Sequence, residues 1–179
     1  ASEKQESTNF KTTDFVFVDD SLNVLELEGD ALMQASEEDF VVIEVTGDTG
    51  AVDHVMNPAA ILSTGIEVTE SAGSRDGRGF IGPGGERIEN EGEMKVQMEQ
   101  VDDGLTFGAT FQAADVTRAL MSIAKICDSG PKTVVAFDSE KGVITRAGKE
   151  IGRFKRKNGL YTTQVRMRRP QATTQRPPQ

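Results

Sequence analysis

Tryptophan is absent from the 179 residues, and tyrosine, cysteine and histidine occur once each. The lone Cys127 excludes an internal disulfide and any cysteine-rich zinc site. With His54 as the only histidine, a Cys-His nucleophilic pair is not expected either, and no metal or cofactor is called for. Cys127 lies in an apolar segment and reads as a small buried hydrophobe. No apolar run approaches the ~20 residues of a membrane-spanning helix. Ala1-Ser2-Glu3-Lys4 has none of the hydrophobic character of a secretory signal. The chain therefore reads as soluble, in a reducing compartment or, if a targeting peptide has been removed, in an organelle. Positive charge is in deficit as well. Twenty Lys and Arg face 29 Asp and Glu, a formal net charge of -9 that argues against general affinity for nucleic acid.

That deficit is uneven. After Glu150 no acidic residue occurs, and Arg153, Lys155, Arg156, Lys157, Arg166, Arg168, Arg169 and Arg176 make this end basic. Solvated charge is one reading. Docking onto an acidic surface is the other, either this chain's own acidic N-terminal part or another protein of a larger assembly.

What is present suffices for one domain with flexible ends. Because only 6% of residues are aromatic, the core must be assembled mainly from Val, Ile, Leu, Met and nine Phe. Residues 1–12 are polar and aperiodic and are expected to be a disordered tail. Residues 13–165 form the β domain, with 13–36 as strands that could be appended to it, and 166–179 are a basic, proline-containing tail.

Within the domain, Phe15-Val16-Phe17-Val18 is a β-like run, and Leu22, Val24, Leu25 and Leu27 suggest another. From Phe40 an apolar, β-rich run climbs to the tight loop that carries Asp48, and the β pattern continues to Val55-Met56 until Pro58 turns the chain. Ile66-Glu67-Val68-Thr69 alternates as a half-buried strand would. Residues 71–92 are rich in glycine around Phe80, Ile81 and Ile88. They suggest a hairpin with its tip at Gly82-Pro83-Gly84-Gly85, or a phosphate-cradling loop, although no Gly-Lys-Ser or Gly-Lys-Thr follows. Residues 94–98 and 105–111 alternate on either side of Asp102-Asp103-Gly104. Arg118 to Cys127 has helix-compatible spacing and a stop at Asp128-Ser129-Gly130-Pro131, which predicts one short helix. Residues 133–137 and 142–145 read as strands joined by Asp138-Ser139-Glu140-Lys141, and Leu160-Tyr161 with Val165 offers a last strand. Met94, Met98 and Met121 read as core filling.

One carboxylate stands out. Asp48-Thr49-Gly50 follows the apolar run, where a reactive group would be presented at the end of a buried strand, though the same triplet is also a turn sequence. Its continuation through Ala51, His54 and Met56 resembles the active-site loop of retropepsin-like aspartic proteases, closest to the proteases of copia-type retroelement polyproteins. Residues 111–116 leading into 119–130 are similar to the segment that ends those domains' leucine-rich serine motif. Val134-Val135-Ala136-Phe137-Asp138 and Asn158-Gly159-Leu160-Tyr161 also resemble them, so the likeness runs from about Asp39 to Val165.

The resemblance implies a mainly β acid-protease barrel with one short helix and a homodimer that hydrolyses peptides. Asp48, Thr49 and Gly50 would be the catalytic triplet. Ala51, Phe80, Ile81, Gly82, Gly84 and Gly85 would contact a peptide or protein substrate, the last five as a covering flap. The Thr49 hydroxyl would bond the opposite loop, and Ala51 would pack beneath Gly50. Three features depart from the pattern. Gly47 stands where an apolar strand residue is usual and is expected to loosen the loop. Ala119-Leu120-Met121-Ser122 replaces a hydrophobic-hydrophobic-glycine element, and the acidic front and basic end have no part in cleavage. A domesticated, non-catalytic protease fold serving a larger assembly, or a peptide-binding module, therefore stays open. His54 reads as structural before it reads as catalytic.

Overall fold

The computed structural model describes residues 15–17, 39–103 and 105–170. Its strands are β1 (Phe15–Phe17), β2 (Phe40–Asp48), β3 (Val55–Met56), β4 (Gly79–Ile81), β5 (Arg87–Glu89) and β6 (Gly92–Gln100). They continue as β7 (Thr106–Ala113), β8 (Ala119–Ser122), β9 (Thr133–Phe137), β10 (Lys141–Arg146), β11 (Lys149–Lys157) and β12 (Leu160–Arg168). Short helices α1 (Ala72–Arg75) and α2 (Ile123–Asp128) and a 3-10 segment, Pro58–Thr64, complete the described elements. The mainly β expectation holds.

Apolar alternation with a period of two builds the core. Along β6, Met94, Val96 and Met98 point inward, and β7 answers with Phe111, Ala109 and Phe107 at the paired positions. All six are buried, and each large side chain removed from water contributes about 1.5–3 kcal/mol. Hydrogen bonding then runs from β7 through β3, β8, β2 and β12 to β6, which returns to β7. The ring closes around a core that includes Val45, Met56, Met121 and Val165. Met94, Met98 and Met121 are core filling, each 1% exposed. From β12 the sheet extends outward as the meander β11, β10, β9, while β1 pairs with the other edge of β7.

The ring brings two strand ends together. β2 and β8 are parallel neighbours, with Val45 opposite Ala119 and Asp48 opposite Ser122. Their carboxyl ends therefore share one rim, and the chain that joins them supplies both the floor and the roof of the cavity described below.

Several expectations change. Residues 119–122 are strand, and the helix begins only at Ile123, because the short apolar run is claimed by parallel pairing with β2. The described helical segments number three instead of one. In residues 66–69 only Thr69 makes a β-bridge, to Glu93, so the alternation there forms no strand. β12 continues past Val165 to Arg168, paired with Phe40, so Arg166 and Arg168 belong to the sheet and not to a tail. β11 is a strand inside the basic run. Its Asn158-Gly159 turn takes φ of 52° and 80°, the left-handed pair a tight hairpin needs. The runs at 1–12 and 22–27 and the tail from 171 lie outside the described residues.

The basic end meets this chain's own acids. Lys155 pairs with Asp102 at 2.7 Å and Lys157 with Glu44 at 3.0 Å, while Arg166 grips Glu99 through two nitrogens at 2.7 and 3.1 Å. The two exposed lysine pairs contribute about 0–1 kcal/mol each, so they orient side chains more than they stabilise the fold. Among the described residues no helix is long and apolar enough to cross a membrane.

Candidate active site

Asp48 ends β2 half-buried, and its Oδ1 accepts the Gly50 N–H at 2.7 Å. This two-residue bond bends the chain back over the carboxylate and fixes its direction. A Cβ at position 50 would stand 3.3 Å from that same oxygen, so a side chain there would press on the carboxylate. Thr49 and Gly50 are exposed at the crest of the turn.

The loop is seated from below by Ser122, which is fully buried. Its hydroxyl donates to the Ala51 carbonyl at 2.7 Å and accepts the Lys125 N–H at 3.2 Å, capping α2. Its backbone N–H donates to His54 Nδ1 at 2.9 Å. His54 is wholly buried, lies 5.5 Å from the Phe111 ring and does not line the cavity, in keeping with a structural role. Nothing in the sequence pattern distinguished Ser122 as the residue that ties the Asp48 loop to the helix.

Position 47 has little room for a side chain. A Cβ there would come within 3.1 Å of both Ile123 Cδ1 and Phe154 Cζ, so those side chains already fill the space. Gly47→Val is expected to destabilise the fold by about 1–3 kcal/mol through overpacking. Chemical denaturation checks this, and a stability equal to wild type would contradict it.

Above the loop, β4 and β5 form the expected hairpin, with Phe80 opposite Ile88. At its tip Gly82 N–H reaches the Glu86 carbonyl at 2.8 Å, and Gly85 adopts φ 80°, which a glycine accommodates without strain. Strand, turn and strand in this order exclude the phosphate-loop alternative. The hairpin's foot is pinned by Asn90. Its Oδ1 accepts from Gly92 N–H at 2.9 Å and from the Ser71 hydroxyl at 3.3 Å, and its amide donates to Gln112 Oε1 at 2.9 Å. Gln112 N–H in turn donates to the His54 carbonyl at 2.7 Å, so hydrogen bonds join the foot of the hairpin to the seat of the loop.

Between them lies a cavity of about 810 Å³, within the size range of ligand sites. Of the residues expected to act, Asp48, Gly50, Ala51, Phe80, Ile81 and Gly82 line it. Thr49, Gly84 and Gly85 do not. Glu86, Ile88, Asp115, Val116 and Leu120 line it as well, none of them marked by the sequence as a site residue.

No family model, curated protein or solved structure matches this chain. The functional assignment therefore rests on the site's own chemistry and on the sequence resemblance. Among the described residues no group of His, Cys, Asp and Glu is arranged to hold a metal ion.

Proposed function

We propose that the protein is an aspartic endopeptidase of retropepsin-like type, active as a homodimer in which each copy contributes Asp48. The observation that supports this most is the placement of Asp48. A carboxylate oriented by a backbone amide sits at a strand end, on the floor of a peptide-sized cavity roofed by a glycine-rich hairpin.

The chemistry requires two carboxylates about 3 Å apart sharing one proton, because both cannot ionise at that distance. The chain has a single Asp-Thr-Gly, so the second carboxylate comes from a second copy about a two-fold axis. The ionised Asp48 takes a proton from water as the water oxygen attacks the scissile carbonyl carbon. The protonated Asp48 of the other copy hydrogen-bonds the carbonyl oxygen as negative charge develops there. The tetrahedral intermediate then expels the amine, which leaves with a proton from the dyad.

Exposed Thr49 leaves its hydroxyl free to reach the opposite loop, and Gly50 presents no side chain to keep that loop away. Val52, beside them, is 74% exposed, an apolar surface that a second copy would cover. Incubation with a denatured protein at about pH 4 to 6 tests the proposal. Cleavage by the wild type that is lost in Asp48→Asn is the expected result. Absence of cleavage, with one copy bound in a larger assembly, would make the chain a non-catalytic subunit instead.

A further inference from the structure

We propose that Glu86 gives the cavity a preference for peptides carrying Lys or Arg beneath the hairpin. For its ligand class this inference rests on the endopeptidase reading. Strand alternation puts Glu86 on the same side of the hairpin's second arm as Ile88, which is paired with Phe80, and all three line the cavity. Together they offer an apolar surface ending in a carboxylate. That is the complement of a lysine or arginine side chain, whose aliphatic stem packs on Phe80 and Ile88 while its charged end reaches the acid.

The carboxylate is seated by the turn itself. A Cβ at Gly82 would collide with the Glu86 carboxyl group, and one at Gly84 would come within 2.9 Å of Oε2. The two glycines therefore leave the space that the Glu86 side chain occupies. Among the described residues no ion pair engages Glu86.

The remaining charges point the same way. Asp115 also lines the cavity, and its carboxylate is held by the neutral Asn57 amide at 3.1 Å, which leaves its charge uncompensated. Asp53 is matched by Lys125 at 3.4 Å. Among the described residues, Arg118 is the one basic residue in a lining that also holds Asp48, Asp53, Glu86 and Asp115. A cationic side chain entering this space meets net negative charge, and an acidic one is repelled.

The test uses the full chain and pairs of fluorescent peptides whose central peptide bond is reduced to a methylene-amine, so that binding is read without hydrolysis. Each pair differs at one position, Lys in one member and norleucine in the other. At one position the Lys peptide is expected to bind about fivefold tighter, the size of a solvent-accessible ion pair. This margin should shrink as salt is raised. In Glu86→Gln it should vanish while the norleucine peptide keeps its affinity, and in Glu86→Lys a Glu peptide should become the tighter binder.

Equal affinities at every position, or a margin that survives in Glu86→Gln, would overturn the inference. Cleavable versions of the peptides separate it from the parent proposal. Glu86-dependent binding with no hydrolysis overturns the endopeptidase and upholds the charge selection, whereas hydrolysis with no charge preference does the reverse. Failure of every peptide to bind overturns both.

Discussion

Asp48→Asn is expected to lower peptide hydrolysis at about pH 4 to 6 by roughly 10²–10⁴-fold, the contribution of a positioned general base. The fold should survive the change. Asn at 48 keeps an Oδ1 that can accept the Gly50 N–H, the bond that shapes the turn. Two facing asparagines can also hydrogen-bond each other through amide hydrogen and oxygen, replacing the shared proton of the acid pair. Native mass and melting temperature should therefore match the wild type while cleavage falls. Equal cleavage by the two proteins would show that the carboxylate takes no part in the reaction, and a variant that unfolds would be answered by Asp48→Glu, which keeps the acid and displaces it.

The second large effect is on stability. Ser122→Ala removes the hydroxyl that both caps α2 and satisfies the Ala51 carbonyl. Loss of a cap costs about 1 kcal/mol, and a carbonyl left without its partner in a partly buried site adds about 1–3 kcal/mol. A total of about 2–4 kcal/mol corresponds to a fall in Tm of roughly 4–16 °C for a chain of this size. The bond to His54 Nδ1 is donated by the Ser122 backbone N–H and persists, so the loss isolates the hydroxyl. Ser122→Thr keeps the hydroxyl and should recover part of the stability. A Tm unchanged in Ser122→Ala would mean that the loop does not depend on this seat.

These two residues also show what a sequence can disclose. Asp48 was legible because its signals are local: an apolar strand, then a polar turn with glycine. The hairpin tip was legible for the same reason, since glycine and proline punctuate the chain where the backbone reverses. Burial of Met94 and Met98 followed from alternation in β6.

Ser122 was not legible, because its partners His54 and Ala51 lie 68 and 71 residues away. The tight packing at Gly47 was hidden for a related reason: Ile123 and Phe154, which fill the space beside it, are distant in the chain. Residues 119–122 satisfy a helical pattern as well as an extended one, and only the neighbouring β2 decides between them. β11 was hidden by its own charge. Lys155, Arg156 and Lys157 obscure the alternation that buries Gly152 and Phe154, although Asn158-Gly159 was available as a hairpin signal. Glu86 carries no local signal in the sequence, and only the hairpin brings it to the cavity.

Pairing of two copies is the claim on which the mechanism depends, and sedimentation across the protein concentrations used for cleavage tests it most directly. The prediction is a species of twice 19.4 kDa whose population rises with concentration in step with hydrolysis per chain. Hydrolysis that stays proportional to a sedimenting monomer, or a protein that remains monomeric and inert throughout, would contradict it.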